Sequence, residues 1–138
     1  MAGVQDIFAL KNDLMELTRL NARLNAFRAR VGMSEKCCYE INLALEELFA
    51  NYVSYGHPDC GEHRIYFNLS LVGSTLTIHI EEDGEPFNLK ALPPPDTQCP
   101  LEKRRIGGLG VHLIKKVMDD IRYSRDSGKN MITLTKNL

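Results

Sequence analysis

Two runs of strict alternation, RIYFNLSLV and TLTIHIEE, stand on either side of Gly73-Ser74. Ile65, Phe67, Leu69 and Leu71 share one face of the first run, and Leu76, Ile78, Ile80 and Glu82 share one face of the second. A period of two broken by a two-residue glycine turn predicts a β-hairpin with one apolar face. Such a face must be covered, so the rest of the chain is constrained to supply its cover.

The preceding segment offers helices. Leu10, Leu14, Leu17, Leu20, Leu24, Phe27 and Val31 recur at steps of three and four, which predicts one helical stripe. Asn12 or Asp13 can cap its start, Gly32 lies just past its end, and a short strand around Ile7–Leu10 precedes it. Ser34 opens a second helix with Glu35 in its first turn, where an acid suits the dipole. Ile41, Leu45, Leu48 and Tyr52 form its stripe, and Ala44, Phe49 and Val53 widen it. This helix is expected to reach about Tyr55 and stop at Gly56.

After the hairpin, Gly84–Ile106 holds Pro86, Pro93, Pro94, Pro95 and Pro100, the composition of a lid or binding loop. Gly107-Gly108-Leu109-Gly110 then leads into a helix with Val111, Ile114, Val117 and Met118 on one side. Asp120–Arg125 and Met131–Lys136 read as a last hairpin turned by Ser127-Gly128-Lys129-Asn130. The order predicts an α+β fold, a largely antiparallel sheet with helices stacked on one face.

A length of 138 residues suits one domain, 1–138. Seventeen basic against eighteen acidic residues give a formal charge of -1, which argues against a dedicated nucleic-acid binder. No apolar run is long enough to span a membrane. The start, MAGVQDIFALKND, lacks a signal-peptide pattern, so a cytoplasmic location is expected. Cys37, Cys38, Cys60 and Cys99 read as free thiols. His57, Cys60 and His63 offer too few ligands, without paired CxxC spacing, for a structural zinc site.

Three features could carry chemistry. Glu47 and Asn51 lie four apart, one turn apart on the same side of the second helix. A carboxylate and an amide oxygen so placed could share a magnesium ion and a water, although a solvated helix face meets the same spacing. Glu82, in Glu81-Glu82-Asp83-Gly84-Glu85-Pro86-Phe87, alternates onto the core-facing side of its strand. There a carboxylate needs a partner, and a ligand amino group could be one. Gly84 would let the backbone approach closely. Finally, Gly107–Gly110 at a helix start favours an anion, and Lys103, Arg104 and Arg105 stand just upstream. No Lys-Ser/Thr follows these glycines and no leading βα unit precedes them, so neither a Walker nor a Rossmann loop is present.

ExxxN on a helix, an acidic strand end with DG, a long loop, then GGLG before a helix: this order resembles the GHKL ATPase superfamily, which includes gyrase and sensor histidine kinases. Within it the chain is most similar to the small single-domain anti-sigma factor serine/threonine kinases. The resemblance rests on Glu47–Asn51, Glu82–Phe87 and Gly107–Ile114. It extends through Met118-Asp119-Asp120, Ser127–Asn130 and Leu134-Thr135-Lys136.

That resemblance implies a Bergerat-type two-layer α/β sandwich with ATP between helices and sheet, and ATP and Mg²⁺ as cofactors. It implies that Asn51 ligates Mg²⁺ held by the ATP phosphates and that Glu47 is a general base. Either Glu82 or Asp83 would contact the adenine amino group beside Gly84. Gly107, Gly108, Leu109 and Gly110, with Arg104 and Arg105, would hold phosphates under a lid at about 88–106. Two positions depart from the family: Glu82 stands where Asp is usual, and Tyr55 where His is frequent.

The implied activity is phosphorylation of a serine or threonine on a STAS-type anti-anti-sigma protein, with a sigma factor as the competing partner. No direct nucleic-acid or membrane contact is expected. A homodimer is implied as well, for which Met1–Ala9 and the first helix offer apolar area. The alternative is an ATP-binding module that sequesters a protein partner without significant kinase activity. A sensor histidine kinase fragment fits less well, because no helical hairpin carries a phospho-acceptor among His57, His63, His79 and His112.

Overall fold

Strand β1, Val4–Lys11, lies antiparallel to β2, Arg64–Val72, with Val4 opposite Leu71 and Lys11 opposite Arg64. In a computed structural model, residues 3–55, 61–84 and 114–138 are described, the side chains of residues 54 and 55 excepted. β2 turns through Gly73, at φ 62°, into β3, Thr75–Glu82. β4, Asp120–Asp126, and β5, Lys129–Asn137, complete a sheet in the order β1-β2-β3-β5-β4 with every pairing antiparallel.

The sequence stripe beginning at Leu10 is only partly helical. Leu10 is a buried residue of β1, Leu14 opens a 3₁₀ turn (Leu14–Glu16) and is half exposed, and α1 runs Leu17–Val31. Hydrogen bonding explains the break. Asn12 does not cap a helix: its side chain donates to the Gly61 carbonyl and accepts from the His63 N–H, both at 3.0 Å, tying the end of β1 to the start of β2. Asp13 accepts from the Met15 N–H at 2.9 Å and caps the 3₁₀ turn instead. α1 ends as expected at Gly32, whose φ of 73° suits a residue without Cβ.

Helix α2, Glu35–Tyr55, agrees with its predicted bounds, and Ser34 Oγ accepts from the Cys37 N–H at 3.1 Å. Of its predicted stripe, Ile41, Ala44, Leu45, Leu48, Phe49 and Tyr52 are buried and Val53 only partly so, while Cys38 and Asn51 are buried as well. Phe49 meets Phe67 of β2 at 6.4 Å between ring centroids, and Phe67 stacks on Phe8 of β1 at 5.1 Å. Both helices therefore close one face of the sheet, over Phe8, Leu10, Ile65, Phe67, Leu69, Ile78, Ile80, Ile132 and Leu134. Arg23 of α1 ties down the outermost strand: it pairs with Asp6 at 2.7 Å and lies over the Phe8 ring.

The last hairpin turns on two residues rather than four. Ser127 and Gly128 both take positive φ, 53° and 76°, the geometry whose twist matches paired strands, and Lys129 and Asn130 are already part of β5. Residues 114–117 form a helical turn that buries Ile114 and Val117, with Met118 buried just beyond. Gly56, the proline-containing segment, the segment 88–106 expected to be a lid, and Val111 lie outside the described residues. No helix among the described residues is long and apolar enough to cross a membrane.

Candidate functional site

Glu47 and Asn51 project one turn apart from the C-terminal half of α2. Asn51 is buried at 3% exposure, while Glu47 is half buried. Burial raises the Glu47 carboxyl above its ordinary range, and the neighbouring Glu46 charge adds to the rise. An oxygen pair of one carboxylate and one amide, on a rigid helix, fits a hard cation that takes few protein ligands alongside phosphate oxygens.

Glu82 ends β3 on the inner face of the sheet and is 2% exposed. The partner demanded by a buried carboxylate is present in the protein. Asn130 of β5, directly opposite in the ladder, donates its amide N–H to Glu82 Oε1, and the Gly84 N–H donates to Oε2 at 2.6 Å. Asp83 points the other way, exposed, and pairs with His63 at 3.1 Å. The two acids between which the sequence leaves the choice open thus occupy different environments.

Tyr52 joins the two halves. It is fully buried next to Asn51 in sequence, and its hydroxyl is held well above its usual pKa by burial, then by the Glu82 charge, then by Tyr123. The Glu82 charge is thus within electrostatic reach of Tyr52, the residue that follows Asn51. Arg104, Arg105, Gly107, Gly108, Leu109 and Gly110 lie outside the described residues, so the phosphate-holding expectation has no geometry attached.

Three residues that the sequence did not single out stand behind the Glu82 carboxylate: Asn130 bonds it, and Tyr123 and Arg125 bond Asn130. The signal for Asn130 was parity. It is two residues before Ile132 and four before Leu134, so it is a polar side chain on the core-facing side of β5.

Cys37 and Cys38 are free thiols, both raised by burial. Cys60, Cys99 and His57 lie outside the described residues, among which no cluster of three or more His, Cys, Asp or Glu is placed to hold a metal ion.

Comparison with known proteins identifies the family and the fold. Residues 10–136 match the family model described as histidine kinase-like ATPase domain. Serine-protein kinase RsbW of Listeria monocytogenes is 26% identical over 140 residues, covering 96% of this chain and 88% of the relative. The protein of the same name from Oceanobacillus iheyensis is 28% identical over 117 residues, covering 82% and 73%. A crystal structure of the RsbU and RsbW domains of Rv1364c from Mycobacterium tuberculosis superposes with a TM-score of 0.69 at 17% identity. It covers 98% of this chain, which spans 32% of that longer chain. At that identity the superposition speaks for the fold: an antiparallel α+β sandwich of Bergerat type. With nearly its whole length matched, the chain belongs to the histidine kinase-like ATPase domain family.

Proposed function

We propose that this chain is an ATP-dependent protein serine/threonine kinase acting as an anti-sigma regulatory factor. Its acceptor would be a seryl or threonyl hydroxyl on a STAS-type anti-anti-sigma partner, with a sigma factor as the competing partner. The observation that supports the reading is the inward carboxylate of Glu82, buried at 2% exposure and within electrostatic reach of Tyr52, the residue after Asn51 on α2. The relatives named serine-protein kinase RsbW support the same class.

In this reading Asn51, with Glu47 beside it, would hold Mg²⁺ at the ATP phosphates. Bound there, the ion would supply charge neutralisation at the phosphates. Glu82 accepts from the adenine amino group, and Asp83, turned to solvent and paired with His63, does not. Glu47 takes the proton from the incoming hydroxyl; its raised pKa brings it closer to the range where a carboxylate is an effective base. Gly107–Gly110 with Arg104 and Arg105, outside the described residues, would supply the phosphate contacts that the sequence leads one to expect. No nucleophile is needed from this chain, because the acceptor belongs to the partner.

Mg-ATP at a hundred times its dissociation constant is expected to stabilise the wild type by about 2.7 kcal/mol, a melting shift of roughly 10 °C for a chain of this size. Asn51→Ala should lose most of that shift. Transfer of labelled phosphate from ATP to a STAS protein separates a kinase from a nucleotide-regulated binding module. A shift without transfer to any of several STAS proteins refutes the kinase reading, and no shift in the wild type refutes the nucleotide site.

A further inference from the structure

We infer that Asn130 is the positioning residue that presents Glu82 to the nucleobase, and that its own orientation is imposed by Arg125 and Tyr123. This inference rests on the proposed nucleotide site. Asn130 is wholly buried. Its amide nitrogen donates to Glu82 Oε1 and, at 3.4 Å, to the Gly84 carbonyl. Its amide oxygen accepts from the Tyr123 hydroxyl and, at 2.9 Å, from Arg125 Nη1.

Only one of the two amide orientations satisfies these neighbours. A guanidinium has donors and no acceptor, and an ionised carboxylate has acceptors and no donor. Rotating the amide by half a turn would set N–H against N–H on the Arg125 side and oxygen against oxygen on the Glu82 side. Arg125 Nη1 also donates to the Gly84 carbonyl at 2.9 Å, so the β4–β5 hairpin holds both Glu82 and the backbone beside it.

The relay keeps the guanidinium one side chain away from the carboxylate. A direct Arg–Glu pair would occupy both carboxylate oxygens and quench their power to accept. Instead, Glu82 Oε1 receives a neutral donor from Asn130 and Oε2 one from the Gly84 N–H, and neutral donors leave the carboxylate a strong acceptor for a base edge that donates an N–H. A fixed acceptor of this kind favours a purine with an exocyclic amino group over one with a carbonyl at that position. It needs no rearrangement on binding.

The experiment measures dissociation constants for Mg-ATP and Mg-ITP, the latter carrying a carbonyl in place of the amino group. The proteins are wild type, Asn130→Ala, Tyr123→Phe, Glu82→Gln and the double variant Asn130→Ala/Glu82→Gln. Asn130→Ala is expected to weaken Mg-ATP roughly tenfold or more, the scale of one hydrogen bond to a charged group, and to narrow the preference for ATP over ITP. Turnover at saturating ATP should stay within roughly threefold. In the Glu82→Gln background, Asn130→Ala should add less than about twofold, which a merely structural role would not produce.

Tyr123→Phe, which removes one donor to the amide oxygen, should move both readouts in the same direction by a smaller factor, and it decides the matter if Asn130→Ala does not fold. A wild type that binds no Mg-ATP overturns both this inference and the proposed function. A wild type that prefers ATP, with effects of Asn130→Ala and Glu82→Gln that simply add or with an unchanged ATP/ITP ratio in the variants, overturns this inference alone.

Discussion

Glu47→Gln is expected to slow phosphate transfer to a seryl acceptor by roughly 10²–10⁴-fold, the usual worth of a positioned general base, while Mg-ATP affinity changes by only a few fold. Gln keeps the size and one oxygen of Glu47 and cannot take a proton. Single-turnover transfer of labelled phosphate checks the first part and calorimetric titration the second. Transfer that proceeds undiminished removes the base assignment, and loss of ATP binding in parallel would move Glu47 from proton transfer to nucleotide retention.

The same substitution has a signature in stability. The folded-state pKa of Glu47 is raised above its ordinary value of 4.5, so the folded chain binds this proton more readily than the unfolded chain. Between those two pKa values stability therefore falls as pH rises. Glu47→Gln should abolish that component, leaving a melting temperature equal to or above that of the wild type at neutral pH. A series of thermal melts from acid to neutral pH reads the difference directly.

Phe67→Ala should cost about 3–5 kcal/mol of folding stability, against a total of about 5–15 kcal/mol for domains in general. Phe67 is 1% exposed and sits where the layers meet, stacked on Phe8 of the outermost strand and tilted against Phe49 of α2. Removing its ring opens a cavity that neither neighbour can fill without leaving its own rotamer. Phe49 lies two residues before Asn51, so nucleotide binding should weaken along with the fold. Urea unfolding measures the loss, and a cost below about 1.5 kcal/mol would show that the two layers close over the gap.

What could be read from the sequence followed periodicity. The central hairpin, α2 and its buried stripe and the inward turn of Glu82 all rest on a local repeat that survives in the structure. The first helix shows where that signal misleads. The three-and-four spacing runs on through Leu10 and Leu14 although the backbone there is strand and then turn. β1 is decided by pairing with residues 64–71 and by the grip of Asn12 on Gly61 and His63, contacts that no local window contains. In the site, Glu82 announced that it needed a partner, but its identity depended on the β3–β5 register. Asn130 was read as a turn residue, and its parity with Ile132 and Leu134 carries meaning only because Ser127 and Gly128 suffice to make the turn. The pairing of Asp83 with His63 is likewise tertiary, and it separates two acids that are adjacent in sequence.

The two-residue turn at Ser127-Gly128 also governs which lengths of chain this hairpin can accept. Ile121, Tyr123 and Arg125 alternate along β4 on the core-facing side, and Arg125 stands opposite Asn130. One residue added to the turn must be absorbed as a bulge, or it slides β4 by one place and rotates all three side chains outward. Two added residues restore the alternation: a four-residue loop keeps Arg125 opposite Asn130, whereas a turn held at two residues carries it two places away. The loop behaves as a counter, and an insertion there that shifts the register, two residues from Asn130, is read out at Glu82.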